Sequence, residues 1–330
     1  MSLNLIVLTG SHPTPALALE ARLTLAGYKV KQLTVPTPKF NRHQPLRSTI
    51  SLIKLPNSLI QAYQQLIRLQ PTLVVSFGGY QALPVCLAAK LLRLPLIIHE
   101  QTFAFGLTSK LTSLIADKIA VSWPSCLKHF PAKKTCLTGN LIRSEILQIN
   151  RQPASRPTIY ITGGHFGSQA INRAVAPILS KLLEKYIIYH QFGLYQVNQP
   201  PVINQPHYHL QTWFTPTQLK KIYSQVDLVI SRSGINTVTE LAYLRIPAVL
   251  IPLTTAQKNE QQTNAKFMQS LGLALILNQT QLTPKTLLQT IDQAIKILPQ
   301  KSSQSFDRNL VSSAADKLYE LVIKLINHEV

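Results

Sequence analysis

Short apolar runs without polar alternation, separated by longer segments of helical periodicity, recur along this chain and constrain its fold more than any other feature. In the first half the runs are Leu3–Leu8, Tyr28–Val35, Thr72–Ser76, Leu94–Ile98, Lys118–Val121 and Lys134–Leu137. A strand that is apolar at consecutive positions has two faces to bury, as in a parallel sheet covered by helices on both sides. Pro15–Ala26, Ser58–Leu69, Leu83–Leu92 and Gly106–Ile115 read as the intervening helices. The polar, proline-containing stretch 148–157 (QINRQPASRP) is the best linker. Beyond it Thr158–Thr162, Tyr186–His190, Pro206–Leu210, Asp227–Ile230 and Pro247–Ile251 read as strands. Thr263–Leu271 and Ser313–Ile326 read as amphipathic helices. The pattern predicts an α/β chain of two doubly wound parallel-sheet domains, 1–150 and 151–330. Their ligands belong beyond the carboxyl ends of the strands, in the cleft that such a pair makes. A length of 330 residues agrees with two domains of about 150 each.

Lysine and arginine number 33 against 13 acidic residues, a net charge of +20. Such a field attracts polyanions: nucleic acid, anionic lipid headgroups or phosphorylated substrates. The basic residues are dispersed and no RNP, KH or zinc-finger pattern is present, so nucleic acid is not the expected partner. Cys86, Cys126 and Cys136 form no CxxC pair, which argues against a disulfide framework or zinc site and for a reducing interior. The start, MSLNLIVLTG, lacks a basic leader and a signal cleavage site and reads as a buried strand. No apolar stretch reaches the roughly 18 residues of a membrane span, so any membrane contact is expected to be peripheral.

Six segments carry chemistry. Ile161–Ala170 (ITGGHFGSQA), followed by Asn172, runs from an apolar strand through Gly163, Gly164 and Gly167 into a helical pattern. Glycines let backbone approach a ligand, and the helix behind them offers amides and a positive dipole end, which suits a diphosphate; an ordinary strand-to-helix turn has the same composition. Ser231–Glu240 (SRSGINTVTE) repeats the arrangement, with Ser233, Gly234 and Thr237 as anion donors. Glu240, about two turns into its helix, suits a ribose diol or is a solvated helix glutamate. In 252–265 (PLTTAQKNEQQTNA), Glu260, Gln261 and Asn264 offer groups for sugar hydroxyls, or mark a helix start. Ser76–Tyr80 (SFGGY) and His99–Thr102 (HEQT) both follow apolar strands; for His99 a structural role is the favoured reading. The first strand exit, Thr9–Pro15 (TGSHPTP), places Ser11 and His12 at the same rim. With a free imidazole pKa near 6.5, His12 is suited to a general base or serves as a loop histidine.

In this order the segments FGGY…PVCLAAKLLRLPLIIHEQ, GNLIR (139–143), GGHFGSQAIN and SRSGINTVTELA…IPAVLIPL…QQTNA resemble the MurG family. These are GT-B glycosyltransferases that pass N-acetylglucosamine from its UDP ester to lipid I in peptidoglycan synthesis. The likeness runs from about Val7 to Leu277. It implies two Rossmann-like domains, the first for the acceptor and the membrane side, the second for UDP-N-acetylglucosamine, with a C-terminal helix at about 313–326 crossing back. It implies inversion at the anomeric carbon with no cofactor and no metal. By position, Glu240 would hold the ribose diol, Ile235 would lie near uracil, and Gly164, His165, Gly167 and Arg143 would face the diphosphate. Ser233 and Gly234 would join the donor site and Gln261 would read sugar hydroxyls. Ser11, Tyr80, His99 and Thr102 would line the acceptor side, with His12 as base and Glu100 as second choice. The acceptor would be an undecaprenyl-pyrophosphate-linked muramyl pentapeptide, met at the cytoplasmic face of the cell membrane through an anionic surface. Leu46–Leu69, with Arg47, Lys54 and Arg68, is the docking segment, or an ordinary core-facing helix.

The chain departs from the family in four places. Its first loop is two residues shorter than GGTGGH, and HEQN ends here in Thr102. His165 replaces a serine, and Glu260-Gln261 replaces the usual His/Gln-Gln pair. A UDP-sugar transferase with another lipid acceptor, such as a diglyceride, and a UDP-N-acetylglucosamine 2-epimerase share this architecture and are the alternatives.

Overall fold

A computed structural model describes residues 4–11, 13–37, 45–103, 106–152, 154–194, 205–254, 259–301, 306–327 and 329. The chain divides into two compact units: residues 1–143 with 308–330, and 144–307. The first division falls at Arg143, ahead of the proline-containing stretch 148–157.

The first unit holds β1 (Leu5–Thr9), α1 (Pro13–Leu25), β2 (Lys29–Gln32), α2 (Pro45–Leu69), β3 (Leu73–Ser76), α3 (Leu83–Leu91), β4 (Leu96–Glu100), α4 (Leu107–Ile115), β5 (Lys118–Val121) and β6 (Thr135–Leu137). The second holds α5 (Ser144–Leu147), β7 (Thr158–Thr162), α6 (Gln169–Val175), α7 (Leu179–Lys185), β8 (Ile187–Gln191), β9 (Tyr208–Gln211), α8 (Pro216–Gln225), β10 (Leu228–Ser231), α9 (Ile235–Leu244), β11 (Ala248–Leu250), α10 (Glu260–Ser270), β12 (Ala274–Ile276) and α11 (Pro284–Lys301). Then α12 (Asn309–Ser312) and α13 (Ala314–Ile326) return to the first unit.

Both sheets have six strands and every pairing is parallel. The orders are β2-β1-β3-β4-β5-β6 and β12-β11-β10-β7-β8-β9. The central strands are buried along their whole length, which explains their lack of polar alternation. The edge strands are more exposed, β2 (KVKQ) most of all, and its lysines mark an edge that no further strand joins. Each order reverses direction once, between β1 and β3 and between β7 and β10. At such a switch point the loops leaving two neighbouring strands part and open a crevice beyond the carboxyl ends.

Among the elements that differ from expectation are a helix and a strand. The helix expected at Ser58–Leu69 begins at Pro45 and runs through Pro56, which interrupts the periodicity without ending the helix. β12 has only three residues and no periodicity of its own; pairing with β11 makes it a strand.

The C-terminal return is part of the first core. Ala314, Leu318 and Val322, spaced by four, are fully buried with Ile6, Leu19, Leu23 and Val75. Gly139 marks the point of entry. Its φ is +93°, and a Cβ there would strike the carbonyl of Leu310, which accepts from Asn140 N at 2.9 Å. Outside this seam Arg22 Nε lies 2.5 Å from Asp316 Oδ1 and its guanidinium 4.1 Å above the Tyr319 ring. An exposed pair of this kind contributes about 1 kcal/mol or less.

Candidate donor and acceptor sites

At the β7/β10 switch point of the second unit two glycine-bearing turns stand side by side. The first leaves β7 through Gly163 to Gly167, with Gly164 and Gly167 at φ +80° and +75°. Gly167 N donates to Gly164 O at 3.1 Å and Gly164 N to Thr162 Oγ1 at 3.0 Å, so these two amides close the turn. Further amides follow two to three residues on. Ser168 caps α6 by accepting from Ile171 N at 3.4 Å, and the amides of Gln169 and Ala170 precede the first intrahelical bond. His165 is exposed at the tip, edge-on to Trp213 at 5.0 Å.

The second turn, Arg232-Ser233-Gly234, leads into α9. Ser233 is fully buried: its hydroxyl donates to Gln261 O at 2.8 Å and its carbonyl accepts from Asn264 Nδ2 at 3.0 Å. It therefore joins this turn to α10 and its hydroxyl is not an anion donor. Gly234 is the N-cap of α9 with no side-chain cap, and beside it lies open space, so the first-turn amides of a ten-residue helix stay available. Ile235 is 5% exposed and packs inward. Glu240 is 1% exposed and accepts from Tyr223 Oη at 3.3 Å, which removes the reading of a solvated helix glutamate. Gln261 turns its Oε1 to Leu253 N at 2.9 Å.

Sequence reasoning passed over Arg232. Its Nη1 donates to Ile251 O at 3.0 Å, burial pushes its pKa down, and among the described residues no carboxylate pairs with it. A half-buried cation beside the open end of α9 adds to the field that an anion meets. The available signal was an arginine at the exit of an apolar strand.

In the first unit the β1/β3 switch point brings together Thr9–Ser11 and Gly78–Tyr80. Ser11 N donates to Gly78 O at 3.1 Å, and Tyr80, half-buried, opens a short helical turn. The Thr9 and Ser11 hydroxyls are buried without a partner among the described residues. His12 lies outside the described residues. Beside them, at the end of β4, His99 is buried with Nε2 3.1 Å from Gly139 O and its ring 5.6 Å from Phe77. It binds the strand exits together through Nε2, and its buried Nδ1 has no partner among the described residues. Glu100 is also buried, and its Oε1 accepts from Thr102 N and Oγ1 at 2.9 and 2.7 Å. That pairing makes Thr102 a clamp on one oxygen of Glu100. Arg143 ends this unit, half-buried; its assignment to the diphosphate rests on the resemblance.

Among the described residues each unit contains one buried imidazole, His99 and His190. In the second, Asn172 Oδ1 accepts from His190 Nε2 at 3.1 Å, which leaves Nδ1 to accept from Tyr208 Oη at 2.9 Å. Burial holds both His99 and His190 down to about 4. The folded state then takes protons less readily than an unfolded chain whose histidines titrate near 6.5, so stability is complete above that pH and is lost as pH falls toward 4. Between pH 7.5 and pH 5.0 each histidine is expected to remove about 2 kcal/mol. Urea unfolding at the two pH values measures it, and equal midpoints would show that neither imidazole is held neutral.

Comparisons with known proteins give the family and the fold. Residues 7–121 match the glycosyltransferase family 28 N-terminal domain and residues 158–318 its C-terminal domain. A relative from Lachnoclostridium phytofermentans, a UDP-N-acetylglucosamine–N-acetylmuramyl-(pentapeptide) pyrophosphoryl-undecaprenol N-acetylglucosamine transferase, is 31% identical over 96% of this chain and 98% of its own. One of the same name from Acinetobacter baumannii is 33% identical over 85% of each. The crystal structure of Acinetobacter baumannii MurG superposes with a TM-score of 0.70 at 28% identity, covering 97% of this chain and 99% of that one. A UDP-GlcNAc 2-epimerase from Neisseria meningitidis, 14% identical with a TM-score of 0.62, shares the fold over 98% of this chain and all of its own. The two doubly wound sheets are those of the GT-B fold, and the chain belongs to glycosyltransferase family 28.

Proposed function

We propose that this chain transfers N-acetylglucosamine from UDP-N-acetylglucosamine to the 4-hydroxyl of a muramyl pentapeptide on undecaprenyl pyrophosphate. The observation that carries it is the pair of glycine-bearing turns at the β7/β10 switch point, with Glu240 buried on the helix that the second turn opens. The second unit takes the donor and the first takes the acceptor. The acceptor hydroxyl attacks C1 of the sugar from the face opposite the leaving group, the C1–O bond to the diphosphate breaks, and UDP departs. Negative charge grows on the diphosphate as it leaves. The uncapped amides of α9, the first-turn amides of α6 and the Arg232 guanidinium offset it, the role that a divalent cation fills elsewhere. His12 takes the proton from the hydroxyl, with Glu100 as the second candidate for that role.

The acceptor is membrane-bound, and no helix among the described residues is long and apolar enough to cross a membrane. On α2, Ser58, Ala62 and Leu66 face the core, whereas Ile60, Tyr63 and Ile67 are 54%, 37% and 48% exposed on the opposite side. This outward apolar face, with Arg68 beside it, supports peripheral docking on an anionic inner-leaflet surface. The side chains of the first ten residues of α2 lie outside the described ones.

Incubation with radiolabelled UDP-N-acetylglucosamine and lipid I, in vesicles and with a chelator present, tests the whole reading. The expected product is the disaccharide lipid pyrophosphate, formed faster in anionic than in neutral vesicles. An epimerised nucleotide sugar, or a glycolipid made from a diglyceride and none from lipid I, would overturn it.

A further inference from the structure

Gln191 ends β8 and is 4% exposed. Both ends of its carboxamide are doubly bonded to neighbours. Nε2 donates to Thr162 Oγ1 at 3.2 Å and to Gly164 O at 3.3 Å. Oε1 accepts from Phe214 N at 3.2 Å and from Tyr160 Oη at 3.3 Å. The orientation is dictated by the backbone partners, since Gly164 O can only accept and Phe214 N can only donate. One amide thus joins the turn after β7 to the segment after β9.

The residues around Gln191 brace the helix after this turn once and the turn itself twice more. Phe192 O accepts from Asn172 Nδ2 at 3.1 Å, and Asn172 is held in turn by His190. Gly193 lies so close to Gly167 that a Cβ at Gly193 would overlap the Gly167 backbone. Leu194 N donates to His165 O at 3.3 Å. A turn that closes on its own amides has little to fix its direction, and here that direction comes from the neighbouring strand.

We propose that Gln191 is a positioning residue of the donor site: it holds the Gly163–Gly167 turn, and through it the first-turn amides of α6, in the one arrangement that receives a nucleotide diphosphate. The inference rests on the reading of that turn as the diphosphate site. Backbone donors bind an anion well only when several meet it at once, and a turn that must be ordered on binding gives up affinity.

Gln191→Glu separates positioning from bulk. The carboxylate still accepts from Phe214 N and Tyr160 Oη, but it cannot donate to Gly164 O and it opposes that carbonyl. Protonation returns one donor, so the lost affinity comes back as pH falls, which a general folding defect would not produce. The experiment is calorimetric titration of UDP into the full chain as wild type, Gly164→Ala and Gln191→Glu, at pH 8 and pH 5.5, with the unfolding midpoint of each. At pH 8 both variants are expected to bind UDP about tenfold or more weakly than wild type. At pH 5.5 the gap between wild type and Gln191→Glu narrows and that of Gly164→Ala does not. Weak binding by Gly164→Ala with wild-type binding by Gln191→Glu overturns the inference and leaves the site reading intact. Wild-type binding by both overturns the site reading and the inference with it. If Gln191→Glu does not fold, Gln191→Met keeps the length without charge, and the same tenfold loss is expected of it; its absence overturns the inference.

Discussion

Glu240→Ala is expected to weaken UDP-N-acetylglucosamine binding by about a hundredfold, read by calorimetric titration against wild type. The magnitude follows from the chemistry of a carboxylate meeting two vicinal hydroxyls. A ribose 2′,3′-diol brings two O–H donors to two oxygens, and a hydrogen bond to a charged group contributes about 1.5–3 kcal/mol. Two of them at the lower end amount to a factor of about a hundred. Glu240 is removed from water and one of its oxygens accepts from Tyr223 Oη at 3.3 Å, so the interaction is not diluted by bulk solvent. Because the alanine also strips Tyr223 of its acceptor, a companion is needed. Glu240→Gln keeps an acceptor for Tyr223 and loses the charge; it is expected to lie between wild type and alanine. The diol itself supplies the control: 2′-deoxy-UDP binds wild type more weakly than UDP does, and Glu240→Ala does not distinguish the two. Undiminished UDP-sugar affinity in Glu240→Ala would remove Glu240 from the donor site.

The parts of this chain that could be read from sequence share one property, which is that their signal is local. β3, β4, β7 and β10 stand out as apolar runs because each is buried on both faces, and the structure shifts their ends by only a residue or two. The glycine turns are legible for the same reason, since each lies directly after such a run and before a helical pattern. What was not legible depends on partners far away in sequence. Whether the Ser233 hydroxyl is available depends on Gln261, and whether the first turn has a fixed direction depends on Gln191, 27 positions from Gly164. Hydrophobic periodicity carries no information about hydrogen bonds of that span. The same limit explains β12, whose identity comes from β11, and His99, whose buried carbonyl partner lies 40 residues on. The resemblance filled part of the gap by naming positions; it could not say which atoms of those residues remain available.

The C-terminal helix shows how a local signal and a distant partner combine, and it yields the largest effect on stability. Its spacing of apolar residues announces an amphipathic helix but not the core that covers it. Leu318 is fully buried in the first unit, between Ala314 and Val322, and shares a cluster with Leu19, Leu23 and Phe77. Leu318→Ala removes a buried side chain and leaves a cavity that the β-sheet behind it cannot close, so a loss of about 3 kcal/mol is expected. Removing residues 308–330 is expected to go further and unfold the first unit. It exposes the apolar face of α1, takes away Leu310 from Gly139, and strips Arg22 of both Asp316 and Tyr319. The second unit has its own core around Ile159, Ile161, Ile230 and Leu287, with no contribution from α13. The truncated chain should therefore still bind UDP while its first unit is cleaved rapidly by protease, and transfer to lipid I should be lost. Denaturant unfolding of Leu318→Ala and proteolysis of the truncated chain measure the two effects. A truncated chain whose first unit resists protease would mean that the helix lies on a finished core; the observed burial, with Val322 and Ala314 as inaccessible to solvent as the sheet residues they touch, argues that it completes the core.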